Sequence, residues 1–267
     1  MKKTIITISL IIYILVSFTA CNDDSNKKEE IKSSLTIPEW DEKAKSTIDN
    51  YWSLWNDAKK DPMAATSIGY AYSEKLNDYE KAIEWYKYSN SMKPLPETSN
   101  YACYSYQQLK QYEEAIKWCE DAINMGSKDA LTGLGYSYSK LKQYDNAIKW
   151  YKKAYENDDI NAMINLGTVY LNKKDYKNSE LWYKKAIEKN DYEAYQGIAK
   201  LYHDGFKDDI KASAYAIAVI NTKYTKSSVL RLLKDDWNIS KETIKKGYEL
   251  QLTSDEFPIK YKGDLGL

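Results

Sequence analysis

The chain is expected to be all-α, a right-handed α-α superhelical solenoid of stacked helix hairpins. Three observations predict this. One short helix is written four times at a near-constant interval, a tyrosine-ended helix precedes each copy, and the apolar positions of every copy fall at helical spacing. A hairpin with one apolar stripe cannot bury itself, so similar neighbours must stack and supply each other's core.

The four copies are YEKAIEWYKYS, YEEAIKWCEDA, YDNAIKWYKKA and YKNSELWYKKA. Tyr79, Tyr112, Tyr144 and Tyr176 hold one equivalent place, at intervals of 33, 32 and 32 residues. Three residues on come Ala82, Ala115, Ala147 and Ser179, and three further on Trp85, Trp118, Trp150 and Trp182. Next to the tryptophans stand Tyr86, Cys119, Tyr151 and Tyr183. The preceding helices end at Tyr72, Tyr106, Tyr138, Tyr170 and Tyr202, and Gly69, Gly135 and Gly167 lie where the partner helix must come close. The bulky tyrosine of the second helix fills that gap. Acids gather at the start of the second helix in the first three copies (Asp78, Glu80; Glu113, Glu114; Asp145) and lysines toward its end in the first, third and fourth (Lys87; Lys152, Lys153; Lys184, Lys185), which complements the helix dipole. The tryptophan row is read as packing between repeats.

The elements follow in order. Residues 1–20 have two lysines, an apolar run and small residues, the layout of a signal peptide. The tetrad FTAC resembles the bacterial lipobox, with Phe18 where leucine is usual, which implies that Cys21 is acylated and becomes the new N-terminus. Residues 22–38 carry almost no apolar content, and 21–40 read as a lipidated, disordered tether. Residues 41–62 are expected to form an N-terminal capping helix with Ile48, Tyr51, Trp52 and Trp55 inward, ended before Pro62, which suits the first turn of the next helix. Five repeats occupy 63–222, the fifth with Tyr215 in place of tryptophan. Two C-terminal capping helices fill 223–253, with Ser240 as N-cap, and 254–267 form an extended tail whose FPIKY folds back over the last helix.

The motif resembles tetratricopeptide repeats and the related Sel1-like repeats of bacterial lipoproteins. Leu134-Gly135 with Tyr138, the Tyr-x-x-Ala element and the terminal alanine are similar to the former, and the tight link at KKAYENDDINAMINLG to the latter. The resemblance implies a bacterial envelope scaffold that binds a protein or peptide partner. Its place would be the outer membrane, facing the periplasm, held there by the N-terminal lipid.

Composition excludes other classes. The count of 39 basic against 39 acidic residues gives no reason to expect nucleic-acid binding. Removal of Lys2 and Lys3 leaves 37 against 39, a near-neutral body. The single histidine, His203, has no ligating companions and reads as a solvated helix end, so neither metal nor cofactor is expected. No nucleophile elbow, phosphate loop or paired-carboxylate constellation suggests an enzyme. Cys103 and Cys119 replace one small-large facing pair together, which allows either a disulfide or two buried thiols in the second repeat.

The abundance of 26 tyrosines over 3 phenylalanines suggests rings that pack on one side and meet water or polar groups on the other. On the first helices, the residues not used for packing are Tyr70, Asn100, Tyr101, Tyr104, Gln107, Gln108, Tyr136, Lys140, Asn165, Asn172, Gln196 and Lys200. They predict a neutral concave groove rich in tyrosine and amide groups, suited to an extended peptide or to a glycan such as peptidoglycan. The cationic set by which one tetratricopeptide subgroup clamps a terminal carboxylate is missing, and that specificity is not expected. The oligomeric state is left open.

Overall fold

A computed structural model describes residues 36–267. The expected signal peptide, Cys21 and the tether as far as residue 35 therefore lie outside the described residues. Helices run from Glu42 to Thr253 with short links between them, and the described residues contain a single isolated bridge, Ile220 to Tyr224, and no sheet.

The entry to the stack differs from expectation. In place of one capping helix there are two, α1 (Glu42–Thr47) and α2 (Tyr51–Asp57), because Ile48 is extended and Asn50 takes a left-handed conformation at φ 54°. The break points Tyr51 inward at 2% exposure and leaves Trp52 67% exposed, against the inward position expected for it. The end of the tether is also not loose. Trp40 packs 4.9 Å from the Tyr51 ring and 5.7 Å from Trp55, whose indole donates to the Pro38 carbonyl. Asp41 caps α1 through the amides of Lys43 and Ala44 and accepts a hydrogen bond from Tyr72 at 2.9 Å. Burial would raise its carboxyl, but these bonds hold it below the usual range.

Five hairpins follow: α3 (Pro62–Leu76) with α4 (Tyr79–Met92), α5 (Pro96–Gln108) with α6 (Tyr112–Asn124), α7 (Ala130–Lys140) with α8 (Tyr144–Glu156), α9 (Asn161–Asn172) with α10 (Tyr176–Glu188), and α11 (Glu193–Lys200) with α12 (Asp209–Ala218). Each of α3, α5, α7 and α9 touches the next first helix as well as its own partner, whereas second helices make no comparable contact with one another. The stack therefore curves with its first helices on the inner side.

The turn inside each hairpin closes on the backbone of the recurring tyrosine. Asn77, Lys110, Lys142, Lys174 and Lys207 are left-handed, with φ between 51° and 64°. In the middle three hairpins the amides of Gln111, Gln143 and Asp175 reach back to the carbonyls of Tyr106, Tyr138 and Tyr170 at 2.9 Å. This is the Schellman closure, which satisfies carbonyls that a helix end would leave unpaired. The first and fifth turns carry one more residue, and in the fifth, α11 widens into a π-helical turn at Leu201–Phe206.

Small-large pairing sets the spacing within hairpins. A Cβ at Gly69 would lie 2.6 Å from the Tyr86 ring, and one at Gly167 would lie 2.7 Å from Tyr183. Trp85 is fully buried and Trp182 nearly so, while Trp118 and Trp150 are half-buried. Three of these rings pack on aromatic side chains, as in Trp118 on Tyr106 and Trp182 on Tyr155, and the Trp150 ring lies under the Lys149 and Lys153 ammonium groups.

At the far end, α13 (Lys226–Arg231) continues into a wide turn, Leu232–Asp236, and α14 (Lys241–Thr253) is capped by Ser240, whose hydroxyl accepts from the Thr243 amide. The tail folds back over this end. Phe257 is 1% exposed and lies 4.7 Å from the Tyr215 ring, while the Gln251 amide pairs with both backbone groups of Tyr261. His203 is not the solvated residue expected. It stacks on Trp237 at 4.5 Å, with Nδ1 2.6 Å from Asp209, because α13 and its wide turn bring Trp237 across the helix end.

A charged clasp holds the tail. Glu256 accepts from Tyr215 at 2.7 Å and pairs with Lys184 at 2.9 Å, and Lys184 also pairs with Glu180, which accepts from Tyr202. Burial would raise both carboxyls, but the Lys184 and tyrosine bonds outweigh it and hold them below the ordinary 4.5. A depressed carboxyl contributes stability that is complete above the unfolded-state value and is lost as pH falls through the folded one. Acidification from neutral to below pH 4.5 is therefore expected to release the tail. Amide hydrogen exchange at Phe257 and Tyr261 measures this, and Glu256→Gln should blunt the pH dependence. Tail protection that persists unchanged through the acid range would refute it.

Candidate functional site

The inner face is built from positions that the packing does not consume. Two residues before each closing tyrosine stand Tyr70, Tyr104, Tyr136, Thr168 and Lys200, one per first helix. The three tyrosines are 46%, 43% and 37% exposed, so a third or more of each ring meets solvent in consecutive repeats. They are braced from behind. Tyr79 meets Tyr104 edge-on at 6.3 Å, Tyr112 does the same to Tyr136, and Tyr101 lies 5.1 Å from Tyr70. Burial, with the neighbouring Tyr79 and Glu74, raises the Tyr104 phenol, which keeps it a neutral hydrogen-bond donor.

A second row runs beside the first, two residues after each closing tyrosine: Glu74, Gln108, Lys140, Asn172 and Asp204, all exposed. Asn100 and Tyr101 line a recess of about 420 Å³ shared with the α6–α7 link. Asn165 is half-buried. Further along, Gln196 accepts from the Tyr224 hydroxyl at 2.9 Å and Lys200 is 3.8 Å from Asp204, so both already have partners. Gln196 borders a cavity of about 240 Å³ that also receives Arg231, the one arginine in the sequence.

One expected groove residue is not there. Gln107 is 8% exposed and turns into the stack, donating to the Gly133 carbonyl at 2.7 Å and to Ser137 at 3.0 Å. The reason lies in the neighbouring pair. Cys119 is smaller than the tyrosine of the other repeats, and the Gln107 amide reaches into that region, 3.4 Å from the Cys103 sulfur. Cys103 and Cys119 are joined in the structure, with Cα atoms 5.2 Å apart, linking α5 to α6. Three inner-face residues escaped the sequence reading, Glu74, Thr168 and Asp204. Register equivalence with Lys140 would have found Glu74 and Asp204, and equivalence with Tyr136 would have found Thr168. Thr168 is exposed and its hydroxyl shares a 3.0 Å hydrogen bond with Tyr183.

Among the described residues no group of three or more His, Cys, Asp or Glu side chains could hold a metal. No described helix is long and apolar enough to cross a membrane.

Comparison with known proteins matches this fold. A family model described as tetratricopeptide repeat matches residues 160–188, and one described as anaphase-promoting complex, cyclosome, subunit 3 matches residues 75–154. No curated protein matches the chain. Among solved structures, PilF of Pseudomonas aeruginosa is 16% identical, with 75% of this chain and 96% of that one covered and a TM-score of 0.56. YrrB, described as a TPR protein with an unusual peptide-binding site, is 19% identical, with 70% and 98% covered and a TM-score of 0.53. A thermophilic TPR protein of Thermus thermophilus is 14% identical, with 67% and 100% covered and a TM-score of 0.53. These likenesses establish the fold: the chain is a right-handed solenoid of tetratricopeptide-type helical hairpins.

Proposed function

We propose that this protein is a lipid-anchored scaffold of the bacterial envelope that binds a protein or peptide along its concave face and has no catalytic role. The observation that carries the reading is the row of braced, exposed tyrosines on three consecutive first helices. Tyrosine offers a large contact area at low conformational cost and a phenol that can pair with peptide groups. The peptide-binding site named for YrrB supports the reading by likeness of fold. Acylation of Cys21, an outer-membrane position facing the periplasm and a Sel1-like affiliation belong to the same proposal and rest on the N-terminal sequence and the tight links.

A photoreactive residue placed at Tyr104 or Tyr136 in the native envelope tests it. A discrete protein adduct from the inner face is the expected result, with none from Leu181 on the outer helix α10, which is also exposed. Adducts with sugar polymer alone would replace the peptide reading by a glycan-binding one, which the tyrosine and amide groups also suit.

A further inference from the structure

We infer that the tyrosine row reads polyproline II conformation, its ligand being a segment with proline or another apolar residue at every third position. The inference rests on the inner face being a peptide site, as proposed above. Neighbouring packed helices stand about 8–10 Å apart. A polyproline II helix rises about 3.1 Å per residue with three residues per turn, so one turn advances about 9.3 Å. Rungs at a single register position on α3, α5 and α7 therefore meet the same edge of such a ligand once per turn. A β-strand repeats its face about every 6.6 Å and falls out of step by the second rung.

The chemistry of the rungs fits as well. A polyproline II segment has no internal hydrogen bonds and leaves its carbonyls to be satisfied from outside. Phenols of Tyr104 and Tyr136 and the exposed amide of Gln108 supply donors beside flat aromatic surface. Bracing by Tyr79 and Tyr112 means that little side-chain freedom is lost on binding.

Charge complementarity sets the ends. Glu74 on α3 and Lys140 on α7 flank the row with opposite signs, and neither is engaged in an ion pair with another described residue, the Lys140 ammonium lying instead 5.0 Å over the Tyr136 ring. The occupant is accordingly a proline-repeat segment, uncharged between its ends, with a basic residue at the Glu74 end and an acidic one at the Lys140 end.

The test uses the full chain in detergent and three short synthetic peptides in fluorescence anisotropy. One has proline at every third position with arginine and aspartate at its ends, the second has glycine for every proline, and the third has the end charges exchanged. The first peptide is expected to bind about tenfold or more tightly than the second, and Tyr104→Ala to weaken it by about tenfold while Tyr104→Phe stays within about threefold. Circular dichroism confirms that each variant is folded. Equal affinity for the glycine peptide overturns the conformational reading yet leaves a peptide-binding groove standing. Equal affinity for the charge-exchanged peptide overturns the assignment of ends. Binding of none of the three overturns the inference, and only if the photoreactive residues at Tyr104 and Tyr136 also capture no protein does the groove reading fall with it.

Discussion

Tyr183→Ala is expected to destabilise the protein by about 3–5 kcal/mol, the range for emptying a large aromatic site in a packed interior. The ring is 1% exposed and is held between two glycines of different repeats: a Cβ would lie 2.7 Å from it at Gly167 and 2.4 Å at Gly197. Its removal thus weakens both the α9–α10 hairpin and the contact with α11. In a solenoid, stability is approximately a sum of repeat terms and nearest-neighbour terms, so one side chain that serves two of them has an unusually large effect. Tyr183→Phe loses only the hydrogen bond to Thr168 and should cost about 1 kcal/mol. Urea unfolding followed by circular dichroism measures both, and hydrogen exchange should show the largest loss of protection in α9–α12. An alanine variant with an unchanged midpoint would contradict the wedge described here.

Joint replacement of Cys103 and Cys119 by serine is expected to lower stability by about 3 kcal/mol, the chain-entropy value for a closed loop of this size. The two cysteines are separated by 16 in sequence and bridge the only hairpin of the middle three that lacks its Gly-Tyr pair. Reductant should shift the wild-type midpoint in the same direction and leave the double variant unmoved. Two titratable thiols in protein purified from its envelope, with no effect of reductant, would show instead a pair of buried thiols. The Gln107 amide gives a second readout, because it rests against the Cys103 sulfur and ties α5 to α7.

Different parts of the chain were legible to different degrees. The repeats could be read directly, since Tyr79, Trp85 and Tyr86 recur with their spacing intact and packing demands those residue types at those places. The lysines in the left-handed turns gave no comparable signal. A glycine there would have marked each helix end, whereas Lys110, Lys142 and Lys174 adopt the same backbone because the closing hydrogen bonds and the packed helices impose it. The inner face was legible by register, which is why Tyr70, Tyr104 and Tyr136 fall in one row. Gln107 was misplaced because its direction depends on the size of Cys119, a residue on the opposite helix.

The ends of the stack divide in the same way. Ser240 as a cap and Pro62 at a first turn are local choices, fixed by groups within one turn of helix, and sequence alone determined them. The split of α1 from α2, the burial of Trp40 and the stacking of His203 on Trp237 were decided only by the tertiary structure. A repeating hairpin specifies itself because each copy meets a surface like its own. A terminal segment meets a surface that occurs once, and its conformation follows from the three-dimensional shape of what it covers.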